Sequence, residues 1–299
     1  MSPAVIIGLI TSLVLINLGV NIGPSNTNSM DPKYAAVPIA PVQYMAGPTL
    51  IPNAPKLDTP ASSAVLHDVD SGVMLYQKSA SERRPVASIA KLMTALMIMD
   101  SHSPDEIVKI GEIPRLELDA QKIGITEGEE FKLEDLLKAL LIYSANDVAN
   151  ALAIYDSGSI EKFASKMNLK SEEWGLENSN FVNPSGLDST DQYSSARDIL
   201  TLSELLINNK IFSDIVATEY TNINNLSGKD YSLTTTNKLL GKNGVIGLKT
   251  GFTLIAGECL VALTQRDGHR VVSVVLDSPN RFQESKNMVD WAFNNYIWQ

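Results

Sequence analysis

The first pattern along the chain is an uncharged apolar run. Ala4 to Val20 reads AVIIGLITSLVLINLGV and the next ionisable side chain is Asp31, so roughly 20 residues are available to cross a bilayer core. Residues 1–23 are read as a membrane anchor or a signal segment, with the anchor favoured because no clear small-x-small cleavage site follows. From residue 24 to 60 the periodicity disappears, and prolines recur at 24, 32, 38, 41, 48, 52, 55 and 60. Proline at that density blocks helix and sheet pairing, so residues 24–60 are expected to form a disordered tether.

Periodic structure starts near Ala61, and residues 61–299 are expected to form one catalytic body. Ser63 to Val69 alternates, turns at Asp70-Ser71-Gly72 and resumes at Val73 to Gln77, which predicts a β-hairpin. Helical spacing then dominates, over Ser88 to Asp100, Leu133 to Tyr143, Val148 to Tyr155, Ile160 to Met167 and Ala196 to Ile207. Residues 175–195 read as a polar loop with Asn183-Pro184-Ser185-Gly186 at its centre. Strand patterns return at Gly244 to Lys249, Cys259 to Thr264 and Val271 to Leu276, and Gln283 to Tyr296 reads as a closing amphipathic helix. Strands at both ends with helices between them predict an α+β body. The N-terminal hairpin joins the C-terminal strands in one antiparallel sheet flanked by helices, with a mostly helical region inserted.

Composition narrows the chemistry. The 299 residues hold 24 Lys+Arg against 34 Asp+Glu, a formal net charge of -10, which argues against a nucleic-acid partner. One cysteine, Cys259, excludes an internal disulfide framework, and three scattered histidines leave little for a metal site. Cys259 is read as a small buried hydrophobe, and Met93, Met97 and Met99 as core packing. The acidic run Glu127 to Glu130 is read as a solvated turn.

Ser88-Ile89-Ala90-Lys91 places a hydroxyl and an amine three residues apart at a helix start, hence on one face. A serine there becomes nucleophilic if burial or a neighbouring cation lowers the lysine pKa enough for it to act as a base. The free N–H groups of a helix start add donors for a developing oxyanion. The spacing alone is weak, since Ser159-Ile160-Glu161-Lys162 repeats it. Ser144-Ala145-Asn146 is likewise echoed by Ser278-Pro279-Asn280, and Lys249-Thr250-Gly251 alone is only a strand running into a turn. Order and placement carry the weight: a helix start, a junction between helical stretches, and the end of a late strand.

The ordered set SIAK, SAN and KTG resembles the active-site motifs of penicillin-recognising serine enzymes. The surrounding text, including TEGEEFKLEDLLKALLIYSANDVANALA, FVNPSGLD, YSSARDIL and RFQES, resembles the D-alanyl-D-alanine carboxypeptidases over about Ala61 to Tyr296. The resemblance implies a β-lactamase/DD-peptidase-like fold, with Ser88 as acylated nucleophile and Lys91 as general base. It implies that Ser144 relays a proton, Asn146 holds Lys91 and the substrate amide, and Lys249 supplies positive potential. Thr250 and Arg281 would bind the substrate carboxylate, the amide of Phe252 would be the second oxyanion donor, and Gly251 would let the strand edge approach the substrate.

The partners so implied are a peptidoglycan stem peptide and β-lactam antibiotics as acylating inhibitors, with no cofactor or metal and with membrane attachment through the N-terminal segment. Such a protein works on the outer face of the bacterial cell membrane, or is secreted if that segment is cleaved. Ser179-Asn180 stands where the family usually has Thr-His, and Gln192 where a histidine is frequent, which leaves substrate fit and loop packing open. One subgroup adds a C-terminal β domain, whereas this chain reaches Gln299 soon after its closing helix. Two rivals remain. A class A-like β-lactamase needs a Glu-x-x-Leu-Asn loop, which Glu173-Trp174-Gly175-Leu176-Glu177 misses at its last position, and an idle wall-binding module would keep the fold without the reaction.

Overall fold

The computed structural model describes residues 46–116 and 120–298. The apolar run at 4–20 and the tether up to residue 45 lie outside the described residues. Among those described, no helix is long and apolar enough to cross a membrane.

The chain enters through a short strand, β1 (Thr49–Leu50), and the hairpin β2 (Ser63–Asp68) and β3 (Met74–Lys78) follows. A 3₁₀ turn at Ala87–Ala90 feeds α1 (Lys91–Ser101). Then come β4 (Ile107–Lys109), β5 (Glu130–Lys132), α2 (Leu133–Lys138), a π-helical turn over Ala139–Tyr143, α3 (Asn146–Ser157) and α4 (Ile160–Glu173). After the polar loop lie α5 (Ala196–Ile207), α6 (Lys210–Val216) and the hairpin β6 (Tyr220–Asn224) and β7 (Asp230–Thr234). The chain closes with β8 (Val245–Thr253), β9 (Gly257–Arg266), β10 (His269–Ser278), α7 (Arg281–Asn295) and β11 (Tyr296–Ile297).

The main sheet is antiparallel in the order β3-β2-β10-β9-β8, which joins the first hairpin to the last three strands as the placement of strands at both ends of the body predicts. Both faces are covered, and period-two alternation divides the side chains between them. On β10, Val272, Val274 and Leu276 enter the core shared with α1, α3 and α5, while Val271 and Val275 enter the core shared with Met288, Val289 and Ala292 of α7. Ser273, also on the α7 face, is matched there by Ser285, the two hydroxyls 2.6 Å apart, so neither oxygen is buried unpaired.

Four features depart from the sequence reading. Residues 49–60 are packed on the body, although their prolines suggested continuation of the tether. β1 pairs with β11, Trp291 donates its indole N–H to Pro55 O at 2.7 Å, Leu57 is buried, and Thr59 bonds Glu284 at 2.7 Å. Proline forbids ladder donation but not side-chain burial or carbonyl acceptance, and this segment uses those two. β8 runs to Thr253, so Lys249-Thr250-Gly251 sits inside a strand rather than at its end. Glu129 in the acidic run is not simply solvated: it accepts Tyr231 Oη at 2.7 Å, Asn225 Nδ2 at 3.0 Å and Thr126 N at 2.7 Å, pinning the loop before β5 to the β6–β7 hairpin. The small pairs β4–β5 and β6–β7 and helix α6 are too short to register as periodic segments.

Candidate active site

The two echo motifs turn out to be helix caps. Ser159 is the N-cap of α4 and accepts Lys162 N at 3.2 Å, and Asn280 caps α7 by accepting Gln283 N at 3.2 Å. In both cases the polar residue satisfies a helix end, which leaves nothing for chemistry.

The other three motifs converge. Lys91 is completely buried, and its Nζ lies 2.9 Å from Ser88 Oγ, 2.6 Å from Asn146 Oδ1 and 2.6 Å from Ser185 O. Burial, then the charge of Lys249, push its pKa well below the ordinary lysine value, and Asp147 acts in the opposite direction. A neutral amine has two N–H donors and one lone pair. With Asn146 and Ser185 accepting the two hydrogens, the lone pair is left facing the Ser88 hydroxyl, which can then donate to it.

Lys249 is equally enclosed, its Nζ 2.8 Å from Ser144 Oγ and 2.9 Å from Thr250 O. Burial and then the Arg281 guanidinium lower its pKa to about 7. Arg281 donates through Nη1 to Gly251 O at 2.6 Å, so it is bound to the strand edge as well as lining the cleft.

Local backbone places these groups. Ser144 ends the π-helical turn with φ 70°, and Ala87 immediately before the nucleophile has φ 48°, both left-handed conformations that non-glycine residues avoid. Gly186 (φ +80°) packs against Ala87, and a Cβ there would lie 1.9 Å from Ala87 O. Gly251 has its own reason: a Cβ would lie 2.9 Å from Val86 O and 3.1 Å from Ala87 Cβ, so its bareness lets β8 close on the turn carrying Ser88. That close contact with the protein is a different use from the substrate approach expected of this glycine.

The polar loop is organised despite its departures. Gln192 Oε1 accepts Val182 N at 2.7 Å and Asn183 N at 3.2 Å, and Ser179 Oγ bonds Ser194 Oγ and Asp198 Oδ2, each at 2.7 Å. Asn183 Oδ1 in turn accepts Gly186 N at 2.8 Å and Ser185 Oγ at 3.0 Å, which aims the Ser185 carbonyl at Lys91.

Ser88, Ser144, Asn146, Thr250, Gly251, Phe252 and Arg281 line one cleft of about 490 Å³, with Gln121, Leu187, Thr236 and Leu254 also on its wall. Lys91 and Lys249 sit just beneath. Sequence reasoning missed three contributors. Ser185 acts through a backbone carbonyl, and Thr236 carries no pattern of its own. Asp147, whose carboxylate collects the amides of Gly124 at 2.7 Å and Ile125 at 3.2 Å, stood beside the SAN motif and could have been flagged as a buried acid next to it.

A family model described as D-alanyl-D-alanine carboxypeptidase matches residues 50–280, which span all three motifs. The chain belongs to the D-alanyl-D-alanine carboxypeptidase family. Among relatives of this family, the D-alanyl-D-alanine carboxypeptidase DacF of Bacillus subtilis is 34% identical over 244 residues, covering 79% of this chain and 63% of that protein. The D-alanyl-D-alanine endopeptidase of Escherichia coli is also 34% identical, over 254 residues, covering 83% of this chain and 80% of that protein. Of solved structures, penicillin-binding protein D2 from Listeria monocytogenes in its ampicillin-bound form matches with TM-score 0.68 and 32% identity, over 80% of this chain and 100% of that one. The Streptomyces K15 DD-transpeptidase matches with TM-score 0.73 and 27% identity, over 80% of this chain and 99% of that one. The chain spans less than two thirds of the length of the first curated relatives it matches, at 63%, 62% and 65%.

Proposed function

We propose that this protein is a serine-type D-alanyl-D-alanine carboxypeptidase that trims peptidoglycan stem peptides through an acyl-enzyme on Ser88. The observation that carries the reading is the buried, charge-suppressed Lys91 held between Ser88 Oγ, Asn146 Oδ1 and Ser185 O. Ser88 Oγ attacks the carbonyl between the two terminal D-alanines while its proton passes to Lys91. The amides of Ser88 and Phe252 stabilise the oxyanion, the latter on β8, the edge strand of the sheet. The C–N bond then breaks, and the departing amine takes a proton through Ser144, which is bonded to Lys249. D-alanine leaves, and water releases the shortened peptide. Asn146 holds Lys91 and the substrate amide, Thr250 and the charges of Lys249 and Arg281 receive the terminal carboxylate, and no cofactor takes part.

A β-lactam in this cleft opens its ring without losing a fragment, so its acyl-enzyme persists, consistent with the ampicillin-bound state of the Listeria protein. Glu173, the glutamate of the loop that comes nearest to a lactamase signature, lies on the surface in an ion pair with Lys170 at 2.9 Å rather than on the cleft wall. This favours a peptidase over a lactamase. Stem peptides lie outside the cytoplasm, so we place the body on the outer side of the cell membrane, attached through residues 1–23.

Intact-mass measurement of the protein after brief exposure to benzylpenicillin, beside Ser88→Ala, tests the reading. The expected result is a lasting adduct of one whole drug molecule on the wild type alone, with release of D-alanine from a pentapeptide ending in D-Ala-D-Ala. Hydrolysed drug without an adduct would show a lactamase, and intact drug without an adduct an idle fold.

A further inference from the structure

Thr250 is buried, yet it lines the cleft. Its side-chain partner is Thr236, with the two Oγ1 atoms 2.5 Å apart, and no other side-chain hydrogen bond of either hydroxyl occurs among the described residues. Two hydrogen bonds tie down the segment that carries Thr236. Its amide donates to Ile142 O at 3.3 Å, just before Ser144, and the next residue, Asn237, donates through Nδ2 to Gly247 O at 3.2 Å on β8. Thr236 therefore spans the gap between the Ser144 turn and the strand that carries Thr250.

Each hydroxyl has one hydrogen. A carboxylate only accepts, so to bind it Thr250 must aim its hydrogen into the cleft, away from its neighbour. That orientation is favoured when Thr236 donates to Thr250 Oγ1, filling its acceptor side and strengthening the outward O–H by polarisation. We propose that Thr236 is a positioning residue that orients the Thr250 hydroxyl toward the terminal carboxylate of the substrate. The inference rests on the acyl-transfer reading above and adds to it a residue outside the three motifs.

The full-length chain in mild detergent tests it, with second-order acylation rates for benzylpenicillin and its methyl ester on wild type, Thr236→Val and Thr236→Ser. Valine keeps the shape and removes the donor. For the free acid, Thr236→Val should lower the rate about tenfold, the scale of one hydrogen bond to a charged group, and act on the affinity component rather than on the acylation step itself. The ester, which lacks the carboxylate charge, should be little changed, and Thr236→Ser should restore the wild-type rate for the acid. Equal losses for acid and ester, or no loss, would overturn the proposal, because a merely structural threonine makes no distinction between them. Failure of the free acid to acylate the wild type would instead end the acyl-transfer reading and this inference with it.

Discussion

Asn146 Oδ1 lies 2.6 Å from Lys91 Nζ and accepts a hydrogen that would otherwise be free to turn toward Ser88. The asparagine thus decides where the lysine lone pair points. Removing it in Asn146→Ala should leave Lys91 buried but unoriented, and should slow acylation by about 10²-fold, the scale of one positioned proton-transfer partner. Lys91→Ala should go further and abolish measurable acylation while the circular dichroism spectrum is retained. An unchanged acylation rate in the lysine variant would remove it from the role of base.

The two lysines set opposite limbs of the pH profile. Lys91 must be neutral to accept a proton, so the rate rises with pH as it loses its charge, and burial followed by the charge of Lys249 brings that rise well below the ordinary lysine range. Lys249 must be charged to attract a carboxylate, and with a pKa of about 7 it loses that charge as pH rises further. The profile of kcat/KM should therefore be bell-shaped, with its descending limb near neutrality and apparent values that belong to the coupled pair. Arg281 lowers the Lys249 pKa, so Arg281→Gln should raise it and move the descending limb to higher pH. A limb that stayed in place would show that another group sets it.

Gly186→Ala should be costly. The added Cβ meets the carbonyl of Ala87 at 1.9 Å, at a φ of +80° that alanine resists. A loss of about 3 kcal/mol of stability is expected from overpacking and backbone strain together, read by chemical denaturation. Acylation should fall as well, because Ala87 carries the backbone of Ser88.

Residues 46–60 belong with the body. A fragment beginning at Ala46 should fold and acylate, whereas one beginning at Ala61 loses the β1–β11 pair, the buried Leu57 and the Thr59 bond to Glu284. Burying one leucine contributes about 2 kcal/mol, so the shorter fragment should melt several degrees lower. Equal melting temperatures would show that the segment is ornamental.

How far the sequence could be read follows from the range of the interactions involved. Ser88 and Lys91 are three residues apart on one helical turn, so local geometry alone puts them on a common face. The apolar runs at Cys259 to Thr264 and Val271 to Leu276 are short enough to read as strands, and strands at both ends of the body with helical spacing between them predict one sheet flanked by helices. Ser159-Ile160-Glu161-Lys162 shows the limit, since the same spacing produces an N-cap where no second motif meets it. Burial of one Ser-x-x-Lys and not the other is settled in three dimensions, and so is the lysine pKa, which falls with that burial and with the charge of Lys249, 158 positions away in the chain (249 minus 91). Folding likewise supplies the partners that have no side-chain signature: the Ser185 carbonyl that takes a hydrogen of Lys91, and Thr236, just after β7, facing Thr250 on β8. Backbone carbonyls and lone hydroxyls occur everywhere in a sequence, and they become a site only when folding removes the water that would otherwise satisfy them.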